Sequence, residues 1–225
     1  MTAAILLAAG RGERMGGAGD KAFLGLGSRP MVAYSLLAFQ TCPDIDDIVL
    51  VVRADKINRS RELCRDLGID KLASVVEGGE SRQDSVRAGL TALPPGTKIV
   101  AIHDTARPLV TPELVSRTVQ SAKERGSGVA AHRVVDTVKV VESGMVVSST
   151  PDRSKLWAVE TPQTFHADLL RRAYDGVAAK GISVTDDAGA VERLGEPVHL
   201  IESKSPNFKV THPDDLALAA AVLRV

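Results

Sequence analysis

Apolar runs of strand length alternate along the chain with amphipathic stretches of helix length. The apolar runs cover 3–7, 48–52, 73–76, 99–103, 128–132 and 198–201. The stretches with helical spacing cover 31–40, 56–67, 83–92, 112–125, 167–179, 186–194 and 213–223. Several runs are apolar at every position, the signature of strands covered on both faces. Alternation of this kind predicts an α/β fold, a Rossmann-like, mostly parallel sheet flanked by helices. Thr111-Pro112 and His212-Pro213 read as helix openings with proline in the first turn.

One segment interrupts the rhythm. "VVDTVKVVESGMVVSSTPDRSKLW" is rich in valine and turns at Glu142-Ser143-Gly144, so it reads as an inserted β-hairpin. No repeat or linker divides the chain, and 1–225 reads as a single domain with a hairpin arm at about 134–153. A lone hairpin is marginal in water. Val138, Val140, Val146 and Val147 would leave an apolar, open-edged surface. A two-fold dimer in which each arm clasps the other subunit is the simplest stable arrangement. Arg153 lies just past the returning strand, where it could reach a neighbour's site or pair with Asp152 or Asp136.

Composition narrows the partners. With 28 basic and 28 acidic residues the net charge is zero, which argues against nucleic-acid binding. The two cysteines, Cys42 and Cys64, have no metal-ligand spacing, and a reducing cytoplasm is the natural setting. The apolar N-terminal run is too short to span a membrane and lacks a charged lead-in, so it is expected to be the first strand of the fold.

In a doubly wound sheet, ligands bind at the carboxyl ends of the strands. The first strand is followed by "GRGERMGGAGDK", with five glycines, two arginines and a lysine. The glycines lack dinucleotide-fingerprint spacing, and no Ser or Thr follows Lys21 in the frame of a P-loop. A long cationic loop sized for a triphosphate remains, with backbone N–H groups beside Arg11, Arg14 and Lys21; the competing reading is a solvated surface loop. The third strand leads to Gly78 and Gly79, which would let the backbone approach a flat ligand, and to Ser81 and Asp84, a capping pair. The fourth leads to "HDTARP", where Asp104 either pairs with Arg107 or faces a ligand. Near the end, Lys209 sits between Phe208 and Val210, either as a snorkelling edge charge or as an anion ligand.

"LLAAGRGERMG" with Lys21, "GGESRQDSV", "HDTARP", "DTVK", "DRSKLWAVETPQTF", "TDDAGAVE" and "NFKVTHPDDL" follow one another across nearly the whole chain. Together they resemble the 2-C-methyl-D-erythritol 4-phosphate cytidylyltransferase family. The first motif alone is shared with many nucleotidyltransferases; the set is specific. The resemblance implies transfer of CMP from CTP to methylerythritol phosphate with release of pyrophosphate, in isoprenoid precursor synthesis. It also implies magnesium held mainly by the CTP phosphates, and a homodimer. Ribitol-5-phosphate cytidylyltransferase is the alternative. By the resemblance Arg14, Lys21, Arg153 and Lys209 are catalytic. Ala8, Ala9, Gly10, Gly12, Gly78, Gly79, Glu80, Ser85, Asp104 and Thr105 bind CTP. Asp104, Arg107, Thr137, Arg153, Thr161 and Lys209 surround the acceptor, and no residue is assigned to a metal. The chain departs from the family pattern at Asp20 and Ala22, where proline and glutamine are common, and at Thr105, where alanine is usual.

Overall fold

A computed structural model of the chain describes residues 1–10 and 21–225. Its centre is a seven-stranded sheet in the order β11-β7-β10-β6-β1-β4-β5. The strands are β1 (Thr2–Leu7), β4 (Asp47–Val52), β5 (Leu72–Glu77), β6 (Ile99–Asp104), β7 (Ser127–Arg133), β10 (Trp157–His166) and β11 (Leu200–Glu202). Two small two-stranded ladders join β2 (Gly25–Leu26) to β3 (Arg29–Pro30) and β8 (Val140–Val141) to β9 (Val147–Ser149). The helices are α1 (Met31–Thr41), α2 (Ile57–Asp66), α3 (Arg82–Thr91), α4 (Pro112–Arg125), α5 (Ala167–Ala179), α6 (Asp187–Glu192) and α7 (Pro213–Leu223).

The period of two along each strand sorts its side chains to two cores. From β1, Ala4 and Leu6 join Val32, Leu36 and Phe39 of α1 and Val115 and Val119 of α4 on one face. Ala3 and Ile5 join Val86 and Leu90 of α3 and Leu170 and Tyr174 of α5 on the other. With both faces covered, the central strands are apolar throughout. The expected mostly parallel sheet is present, with β1 parallel to β4 and β6, β4 to β5, and β7 to β11.

One central strand departs from the expectation. β10 runs antiparallel between β6 and β7, and its sequence gave no strand signal. Half of its ten residues, WAVETPQTFH, are polar, and they include Pro162, which cannot donate to a ladder. A register shift between Val159 and Gln163 takes Glu160, Thr161 and Pro162 out of the pairing with β7. The bulge therefore admits a proline and turns buried polar groups toward the carboxyl end of β6.

Local capping fixes the elements that frame this end. Ser81 and Asp84 cap α3 reciprocally: Ser81 Oγ accepts from the Asp84 amide at 3.1 Å, and Asp84 accepts from the Ser81 amide at 3.1 Å. At α6, Asp186 accepts from the Gly189 amide at 2.9 Å, while Gln163 of β10 donates to Asp186 at 3.0 Å and accepts from the Ala188 amide at 2.8 Å. The bulged strand thus sets where α6 begins.

Candidate active site

A cleft of about 960 Å³ opens at the carboxyl ends of β1, β4, β5 and β6. Among the described residues, the turn after β1 contributes Ala8, Ala9 and Gly10, and Lys21 stands beyond it. Among the described residues, nothing lies within 4 Å of a Cβ built on Gly10. Gly12 and Arg14 lie outside the described residues. Lys21 opens a 3-10 turn, Lys21–Phe23, in which Ala22 is buried and the guanidinium of Arg59 lies 5.3 Å from the Phe23 ring centroid. The departure at Ala22 therefore falls on a packed position. Asp20 lies outside the described residues.

The turn after β5 supplies Gly78, Gly79 and Glu80, with the buried Ser85 one turn into α3. A Cβ on Gly78 would stand 2.6 Å from Ala9 Cβ and 2.8 Å from Ser85 Oγ. A Cβ on Gly79 would collide with Asp84. Packing between the two loops and against the α3 cap therefore requires both glycines, in addition to any ligand. Ser85 Oγ donates to the Ser81 carbonyl at 3.0 Å, so it is placed by the cap.

The wall between the two loops is formed by charge. Asp104, at the end of β6, is buried, and its two oxygens accept from Arg82 Nε at 3.1 Å and from Lys209 Nζ at 2.6 Å. Lys209 is brought there by backbone pairing: the Val210 amide donates to the Ala106 carbonyl at 2.8 Å. The α7 cap then fixes the following turn, with Asp215 accepting from the Thr211 and His212 amides at 2.6 and 2.8 Å. Burial alone would raise the Asp104 pKa; Arg82 and Lys209 outweigh it and hold the carboxyl well below the usual carboxylate range. The guanidinium of Arg82 also grips Asp187 through two bonds, at 3.1 and 2.7 Å.

The observed pairing is one that neither expectation contained. Lys209 is an ion-pair partner in the cleft wall and not an edge charge, and Asp104 does not pair with Arg107. Arg107 turns the other way, donating to the Asn207 carbonyl at 2.7 Å and lying 3.9 Å from Glu160. Glu160, buried in the β10 bulge, also accepts from Ser203 at 2.7 Å and Asn207 at 3.0 Å and bonds His132 at 2.8 Å. Thr161 Oγ1 accepts from the Asp104 amide at 3.1 Å and bonds His103 at 3.0 Å. Arg107 and Thr161 therefore stand behind the wall and brace it. Burial pushes the His103 pKa down to about 3, so this imidazole is neutral between Thr161 and Ser35.

Thr105 is also absorbed by the fold. Its hydroxyl donates to the Leu7 carbonyl at 2.9 Å, the same oxygen that its amide reaches at 3.1 Å. Thr137 and Arg153 are exposed on the arm and do not line the cleft within this chain. Arg153 pairs with neither Asp152 nor Asp136; it donates to the Val135 carbonyl at 2.6 Å.

Sequence reasoning missed Arg82, Asp187, Tyr174 and Glu160. Arg82 lay inside a quoted motif, but only its pairing across 22 and 105 residues reveals its place in the wall.

A triphosphate-sized cleft at the carboxyl ends of a mostly parallel sheet, with a glycine-bearing turn on one side and cations on the other, is the architecture of a nucleotidyltransferase. The sequence profile of IspD, 2-C-methyl-D-erythritol 4-phosphate cytidylyltransferase, matches residues 2–225. The chain belongs to this family. It is 42% identical over 222 residues to the 2-C-methyl-D-erythritol 4-phosphate cytidylyltransferase of Desulforamulus reducens, covering 98% of this chain and 95% of that protein. It is 44% identical over 220 residues to the enzyme of that name from Geobacillus kaustophilus, covering 98% and 96%. Among solved structures, 4-diphosphocytidyl-2C-methyl-D-erythritol synthase from Anaerococcus prevotii superposes with a TM-score of 0.88 at 29% identity, covering 100% of this chain and 99% of that one. The Thermus thermophilus cytidylyltransferase gives 0.80 at 35% identity, covering 98% of both.

Proposed function

We propose that this cleft binds CTP and that the phosphate of 2-C-methyl-D-erythritol 4-phosphate attacks its α-phosphorus. As a family member the chain is a cytidylyltransferase of isoprenoid precursor synthesis, and the ribitol-phosphate alternative is not favoured. A bond forms from the acceptor phosphate oxygen to the α-phosphorus, the bond to the β-phosphate oxygen breaks, and pyrophosphate leaves. The acceptor phosphate is already ionised, so no protein nucleophile is required. What the protein must supply is position and positive charge.

The observation that carries this reading is the Lys209–Asp104–Arg82 row along the cleft wall, opposite the turn of Ala8, Ala9 and Gly10. In the assignment proposed here, Lys21 and Arg14 meet the α-phosphate and the leaving pyrophosphate. Gly78, Gly79, Glu80 and Ser85 face the cytosine. Asp104 and Lys209 stand between nucleotide and acceptor, with Arg107 and Thr161 behind them. Gly12 and Thr105 border the phosphates. Thr137 and Arg153 would reach the acceptor from the arm of a second copy. The exposed apolar residues of the arm, Val140, Met145, Val146 and Val147, support a dimer through that surface.

Among the described residues no three His, Cys, Asp or Glu side chains come together as a metal site, and Arg82 and Lys209 occupy both oxygens of Asp104. Magnesium would enter on the CTP phosphates and add positive charge beside the α-phosphorus. Among the described residues no helix is long and apolar enough to cross a membrane. Both cysteines are free and buried, in keeping with a cytoplasmic setting. Pyrophosphate release is the direct assay. Methylerythritol phosphate with CTP should turn over at least tenfold faster than ribitol phosphate with CTP, and faster than methylerythritol phosphate with ATP. Equal rates with the two acceptors would overturn the acceptor assignment.

A further inference from the structure

The cleft wall does not end at Asp104. Arg82 stands between two carboxylates: its Nε donates to Asp104, and its two terminal nitrogens donate to Asp187. Asp187 is wholly buried at the start of α6, where the buried Tyr174 of α5 donates to it as well. Burial opposes the charge on Arg82, but Asp187 and Asp104 outweigh it and raise the guanidinium pKa. A bidentate grip on a fixed carboxylate leaves a guanidinium little freedom. The Nε–H that faces Asp104 is thereby aimed by groups of α5 and α6, which pack on the same face of the sheet as α3. Asp104 in turn holds Lys209 at 2.6 Å, so the row Tyr174–Asp187–Arg82–Asp104–Lys209 runs without a gap from the α5–α6 core to the cleft.

We infer that Arg82 is a positioning residue, which acts by fixing Asp104 and, through it, Lys209 against the bound nucleotide. This rests on the proposed placement of Asp104 beside the substrates. Arg82 lines the cleft, yet three of its N–H groups are committed to protein carboxylates. Its cation is balanced by Asp104 and Asp187, and Asp104 is shared with Lys209. Preorganisation of this kind aligns charge before the substrate arrives.

A double-mutant cycle on kcat/KM separates this role from a structural one. Arg82→Lys keeps the charge between the two carboxylates but, with its donors on a single nitrogen, loses the planar fork that spans both. Steady-state pyrophosphate release is measured for wild type, Arg82→Lys, Asp104→Asn and the double variant, with the melting temperature of each. The expected result is a loss of about 20-fold for Arg82→Lys in the wild-type background, within the range for coupled neighbours, and less than threefold in the Asp104→Asn background. Asp187→Asn, which never touches the cleft, should show the same collapse of its effect when Asp104 is changed. An equal factor in both backgrounds, or a loss of under threefold for Arg82→Lys alone, overturns the inference. Near-normal activity of Asp104→Asn by itself would overturn both the site reading and the inference; the other outcomes leave the site reading standing.

Discussion

The cleft wall and the arm sit about as far apart in character as two parts of one chain can. In the wall, Asp104, Arg82 and Lys209, with Arg107 and Glu160 behind them, are close together, and each charge has a partner. Buried ions are tolerable only when paired and hydrogen-bonded, so the wall is fixed before any ligand arrives. The arm reverses this. Its ladder has two short strands, and Met145 is 91% exposed and Val146 71% exposed. Polar groups are enclosed where chemistry is to be done, and apolar groups are exposed where another surface would be covered. The ion pairs of the wall are thus all made within one chain, while in the proposed dimer the arm would be covered by a second.

The largest test of the contrast removes charge from the cleft. Lys21→Ala should lower kcat roughly 100-fold or more, the scale seen when one preorganised donor to a developing charge is lost. Turnover within threefold of wild type would take Lys21 out of the reaction. A thermodynamic break comes next. Glu160→Ala strips the shared acceptor from Ser203 and Asn207 and leaves the half-buried Arg107 without its carboxylate. Urea denaturation should report a loss of about 3 kcal/mol. The same truncation at Glu142, exposed on the arm, should cost less than about 0.5 kcal/mol.

A smaller effect depends on pH. His103 is buried and neutral, with its pKa lowered to about 3, whereas an unfolded histidine titrates near 6.5. Between those values the unfolded chain binds the extra proton, so stability falls as pH drops from about 6.5 toward 3. Asp104 adds a second loss at lower pH: its folded pKa is depressed, so its contribution is present above an unfolded value of about 3.9 and disappears as the carboxyl protonates. The melting temperature of His103→Asn should vary less steeply over pH 6 to 4 than that of wild type. Parallel curves would show that His103 protonates freely in the native protein. The smallest change is Thr105→Ala. Its hydroxyl is spent on the Leu7 carbonyl, so kcat/KM should stay within threefold, and a larger fall would mean that the hydroxyl itself, and not only the Thr105 backbone, meets the phosphates.

The same contrast decides what was legible in the sequence. Strands buried on both faces announce themselves, and β1, β4 and β6 were readable from unbroken aliphatic runs. The arm was readable too, because valines around a Glu-Ser-Gly turn have no place in a layered core; Gly144 does take a positive φ of 60° there. The wall was opaque to pattern. β10 carries Glu160, Thr161, Pro162 and Gln163 through the middle of a sheet, which no alternation rule anticipates and which the bulge alone makes possible. Arg82 and Asp187 look like ordinary helix-opening residues until folding pairs them. The motifs gathered by resemblance named most cleft residues, among them Lys21, Gly78, Gly79, Glu80, Asp104 and Lys209. They could not show that Gly78 and Gly79 are also demanded by packing, or that Arg107 and Thr161 brace the wall from behind.

In the proposed dimer, the cleft wall of one subunit is served by the arm of the other. Mixing inactive subunits tests it most directly. Lys21→Ala protein is combined with Arg153→Ala protein, subunits are allowed to exchange, and pyrophosphate release is followed. If Arg153 serves the neighbouring cleft, each heterodimer holds one doubly defective site and one intact site, and activity should return toward half of wild type per heterodimer. If Arg153 serves its own cleft, every site stays defective, and a mixture as inactive as its two components would contradict the account.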